Sequence, residues 1–75
     1  MTTNNTELRV SIASVRDRDE LVAELWAGNC QVAELARIDE RLILQVFAPD
    51  GLDEWAFSYE VFLNALQEMR RELDR

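Results

Sequence analysis

Few residues in this chain could do chemistry, and their spacing narrows the choice further. Cys30 is the single cysteine and histidine is absent, so zinc ligation and Cys-His or Ser-His nucleophilic catalysis lack their parts. No basic side chain lies near Cys30 in sequence to activate its thiol. Glu24 and Glu34 occupy matching places in two copies of VAEL, Val22–Leu25 and Val32–Leu35. Facing each other across a hairpin they would form a carboxylate pair of the kind used in acid–base work. No motif supplies a pocket around them, and a solvated sheet face is the plainer reading. The stretch PDGLDE groups Asp50, Asp53 and Glu54. It lacks the alternating acidic spacing and distal Glu of a calcium loop. Gly28 and Gly51 are the only glycines, which excludes a phosphate loop and a dinucleotide fingerprint. No catalytic residue, metal ligand or cofactor is expected, and the chain does not read as an enzyme.

Charge is the strongest compositional signal. Fifteen Asp and Glu against eight basic residues, all Arg, give a net charge of −7. Affinity for polyphosphate comes mostly from Lys and Arg, so neither nucleic acid nor an anionic membrane is an expected partner. An acidic surface instead favours solubility and steers encounter toward basic partners. No apolar run approaches the roughly 20 residues of a membrane span. The polar start MTTNNTE carries no export signal, and a lone cysteine fits a reducing compartment, so a cytoplasmic location is expected.

Seventy-five residues make one domain, 1–75, and a chain of that size buries only about 60% of its unfolded surface. Residues 1–7 offer little to bury and are expected to be disordered. LRVSIASV (Leu8–Val15) alternates apolar and polar residues with period two and reads as a strand. RDRD (Arg16–Asp19) reads as a charged turn. A helix over Glu20–Ala27 has some support, from Leu21, Val22, Leu25 and Trp26 on one helical face and Gly28 as a C-cap. The hairpin explains more, because Gly28–Asn29 separates the two VAEL arms and suits a turn that needs positive φ. A tight turn alone would put Glu34 opposite Ala23, on the apolar face. An odd loop or a bulge moves the second arm by one, so that Ala23, Leu25, Ala33 and Leu35 share a face and both glutamates point away; the odd loop is the expected form.

RIDER (Arg37–Arg41) reads as a second turn, LILQVFA (Leu42–Ala48) as a strand, and Pro49–Gly51 as the turn that ends it. WAFSY (Trp55–Tyr59) is a short strand or an extended lead into a helix. The helix, 58–74, is expected to be capped by Ser58, with an apolar stripe of Phe62, Leu66, Met69 and Leu73 and with Arg70, Arg71 and Arg75 at its negative end. The fold class is therefore α+β: a small antiparallel β-meander of three to five strands over 8–48, with one C-terminal α-helix packed on one face.

The pieces LVAELWAGNCQVAEL, LILQVFAPDG and WAFSYEVFLNALQEMRREL resemble a group of short, uncharacterised bacterial proteins. Those carry a similar hairpin, a strand, a Pro/Gly turn, a Trp and a helix of the LDEFLEAL kind, for which SYEVFLNAL stands here. The resemblance covers most of residues 20–73 and implies a shared fold and no activity.

What remains is a surface. If Ala23, Leu25, Leu35, Leu44 and Val46 pack under the helix, then Val22, Trp26, Ile43 and Phe47 point to the other side, beside Glu24 and Glu34. Such a patch marks a protein contact, unless the sheet curls or another segment folds over it. Two classes of function fit. One is a small acidic intracellular binder that occludes a basic effector, as inhibitors, immunity proteins and anti-defence proteins do. The other is a non-enzymatic structural module that forms a homodimer.

Overall fold

A computed structural model describes residues 7–15, 20–49, 51 and 54–75. The expected disorder at residues 1–6, the Arg16–Asp19 turn and the acidic positions Asp50 and Asp53 lie outside the described residues. Four strands, β1 (Leu8–Val15), β2 (Glu20–Ala27), β3 (Cys30–Ile38) and β4 (Arg41–Val46), precede one helix, α1 (Tyr59–Leu73). The strands form one sheet in the order β1-β2-β3-β4, each pair antiparallel. The layout is the α+β meander with a C-terminal helix on one face that the patterning implies.

The repeated VAEL is a hairpin. Gly28 takes φ 61°, and Ala27 stands directly opposite Cys30 across the Gly28–Asn29 turn. Positive φ costs an L-residue its Cβ clearance, so glycine belongs here. The expected odd loop does not form: the turn has the two residues Gly28 and Asn29, and a bulge shifts the register instead. Leu25 faces Ala33 while Trp26 faces Gln31, which leaves Val32 as the extra residue on β3. Beyond the bulge Ala23 meets Leu35 and Glu24 meets Glu34. One inserted residue therefore keeps a carboxylate out of the core. The second turn is less comfortable: Asp39 and Glu40 both have positive φ, 53° and 66°, where Asn-Gly would be at ease.

WAFSY forms no fifth strand. It is an extended lead into α1, pinned where Trp55 Nε1 donates to the Phe47 carbonyl at 2.7 Å. Trp55 stacks on Phe57 at 5.4 Å between ring centroids, and Phe57 on Phe62 at 5.6 Å. Ser58 caps the helix, its Oγ accepting from the Val61 N–H at 3.4 Å. Glu60 in the first turn and Arg70 and Arg71 in the last suit the helix dipole.

Leu25, Val32 and Met69 are the largest fully buried side chains, each contributing about 1.5–3 kcal/mol through burial. Ala23, Ala27 and Ala33 form a low floor in β2 and β3, and Ala65 of α1 packs with them. Small residues on both sides let the helix lie close to the sheet.

The expectation that Leu44 and Val46 also pack under α1 fails. They are 42% and 57% exposed. Four strands about 4.8 Å apart make a face wider than one helix of about 10 Å can cover. The helix lies over β1 and β2, reaches the margin of β3 and stops short of β4. No helix among the described residues is long and apolar enough to cross a membrane.

Candidate functional site

The helix-free face is built from alternate residues of each strand. The register sets Arg9 opposite Trp26, Ser11 opposite Glu24, and Ala13 opposite Val22, and it continues through Glu24–Glu34 to Glu34–Gln45 and Ala36–Ile43. This row places Val22, Glu24, Trp26, Glu34 and Ile43 on one face, with Phe47 just past the end of β4. The six are not equivalent. Val22, between Ala13 and Ala36, is 4% exposed and offers no contact surface. Trp26 is half-buried: its Nε1 donates to Glu24 Oε1 at 3.2 Å, and the Arg9 guanidinium sits 5.8 Å from its ring centroid. Glu24 Oε1 also accepts from Ser11 Oγ at 3.4 Å. These contacts fix Glu24 and Trp26 as one unit.

Glu34 stands directly opposite Glu24 and forms no ion pair among the described residues. Two carboxylates facing each other across a strand pair repel. A cation placed between them would relieve that repulsion. Farther along the same face Ile43 is 39% exposed and Ile38 41%, so the accessible apolar surface lies toward β4 and away from Trp26.

A second surface was not foreseen. On the helix side, Val46, Val32, Trp55, Phe57, Tyr59 and Phe62 line an open groove of about 340 Å³ between α1 and β4. It lies where the helix stops short, and Leu44 extends its floor along the strand. The alternating aromatics of WAFSY were its signal in the sequence. Every residue of β4 but Leu42 is therefore exposed.

The outer edge of β4 pairs with no strand among the described residues. The Phe47 N–H donates to the Val32 carbonyl at 2.8 Å, in the same register that pairs Val46 with Ala33. Bonded and non-bonded pairs alternate along an antiparallel ladder. Odd positions of β4 thus bond to β3, and the N–H and C=O groups of Leu42, Leu44 and Val46 point out of the sheet.

No group of three or more His, Cys, Asp or Glu among the described residues could hold a metal, and Cys30 is a half-buried free thiol. The chain matches no family model, no curated protein and no solved structure.

Proposed function

We infer that this protein is a small acidic, non-catalytic protein-binding module whose helix-free sheet face docks a basic partner, in the manner of an inhibitor. The observation that carries the reading is the Glu24–Glu34 carboxylate pair beside exposed Ile43. An Arg or Lys of the partner fits between the two carboxylates, its chain lying toward Ile43. The net charge of −7 would speed the encounter, and the apolar contacts would slow release. Such a partner is a basic protein surface; nucleic acid and anionic membrane fit the charge poorly. A cytoplasmic setting, where many basic effectors act, belongs to the same proposal.

The test is capture from native extract on immobilised wild-type protein and on a Glu24→Gln/Glu34→Gln variant. A basic protein held by the first, lost from the second and released by high salt is expected. Identical captured sets on both would overturn the reading.

A further inference from the structure

We propose that β4 pairs edge to edge with β4 of a second copy, antiparallel, joining two sheets into one continuous eight-stranded sheet. This goes beyond the docking of a basic partner and rests on backbone groups of β4 that such docking does not use. The outward-facing N–H and C=O groups of Leu42, Leu44 and Val46 have no hydrogen-bond partner among the described residues, and a ladder of this kind is self-complementary under a two-fold axis normal to the sheet. With the axis at Leu44, Leu44 exchanges both bonds with Leu44 of the second copy, and Leu42 exchanges both with Val46.

The side chains match in that register. On the helix side Leu44 meets Leu44 and Leu42 meets Val46, covering residues that are 42% (Leu44) and 57% (Val46) exposed in one copy. On the other side Ile43 meets Gln45, and Arg41 stands opposite Phe47, where a guanidinium and a ring attract. Charge permits the approach: RLILQV holds one charged residue, Arg41, and no carboxylate, so two copies of a −7 chain meet along their least acidic line.

Natural edges are protected by proline, bulges or inward-pointing charge, and residues 42–46 carry none of these. A helix-to-helix clasp is the poorer alternative. The outward side of α1 carries Glu60, Asn64, Gln67 and Arg71, all exposed, and these would have to enter the apolar groove. A seam of one short strand per copy is small beside the roughly 800 Å² per partner of a standard interface. The dimer is therefore expected to assemble and dissociate in the micromolar range.

Directly opposite bonded residues lie about 5.5 Å apart at Cα, within the disulfide range. In a Cys30→Ser background, Leu44→Cys is expected to give an oxidised dimer. Leu42→Cys alone is not, because the two introduced thiols would sit over about 13 Å apart along the strands. Combining Leu42→Cys with Val46→Cys restores cross-linking. Sedimentation should show a monomer–dimer equilibrium that persists in high salt and is lost in Leu44→Lys, with the far-ultraviolet circular dichroism unchanged. A monomer at every concentration, a dimer without cross-linking at position 44, or equal cross-linking from positions 42 and 44 would each overturn the proposal. If Leu44→Lys fails to fold, the cysteine pattern still decides. Capture of a basic protein through Glu24 and Glu34 is untouched by either result.

Discussion

β1 and β4 are both edge strands of one sheet, yet α1 lies over the first and leaves the second bare. The β1 edge interleaves Arg9, Ser11 and Ser14 with its apolar residues, and on the helix side Leu8 and Val10 pack against the core. The β4 edge has Leu42, Ile43, Leu44 and Val46 within six residues, and only Leu42 among them packs against the core. The same chain thus holds a folded half and an unfinished half. Apolar residues on β2 contribute to stability, whereas those on β4 gain little from the fold of one copy. That difference leaves β2 and β3 to hold the fold together and β4 with apolar residues that the fold of one copy does not use.

The sharpest way to break this contrast is to truncate one residue in each half. Leu25→Ala, at a fully buried site on β2, should cost about 3 kcal/mol in urea unfolding. Val46→Ala, on β4, should cost under about 1 kcal/mol. Equal costs would mean the β4 half is packed in solution. Trp26→Ala falls between them. The ring is half-buried against Arg9 and Glu24, and its loss should cost about 2 kcal/mol while the fold persists, measured by thermal melting.

Two smaller effects sharpen the picture. Glu40→Gly should raise stability by about 1 kcal/mol in urea titration, because Glu40 holds φ 66° in the β3–β4 turn. Its gain should appear in the protection of the β3–β4 amides as well. Glu34→Gln should stabilise by about 0.5 kcal/mol, since it removes one of two carboxylates set opposite each other. The gain should shrink in high salt. A residue whose removal stabilises the fold while weakening capture of a basic protein marks a binding surface.

The meander, the hairpin and the helix were legible because each rests on local pattern. Period-two alternation marked β1, Gly28–Asn29 marked the first turn, and Ser58 with the Phe62–Leu73 stripe marked α1. The shift that turns Glu34 outward was legible too, since a buried carboxylate would have been costly. The bulge at Val32 supplies that shift where a longer loop would have served as well. What local pattern could not show was where α1 sits across the sheet. Leu44 and Val46 have the same alternation as Leu35, and only the helix position, set by the alanine floor of β2 and β3, separates covered from bare. The candidate site was partly legible for the same reason. Register gave the face of Val22, Trp26, Glu24, Glu34 and Ile43, but the burial of Val22 and the outward ladder of β4 follow from the assembled sheet.

Amide hydrogen exchange along β4, followed at several protein concentrations, tests the central claim that this strand is built for contact. In dilute solution Ile43 and Gln45, bonded to β3, should exchange slowly, and Leu42, Leu44 and Val46 should exchange fast. Raising the concentration should slow those three and leave β1 unchanged. If all five are protected at every dilution, β4 is not the free edge described here; if the three stay fast at every concentration, the edge is free but takes no second copy, and either result contradicts the account.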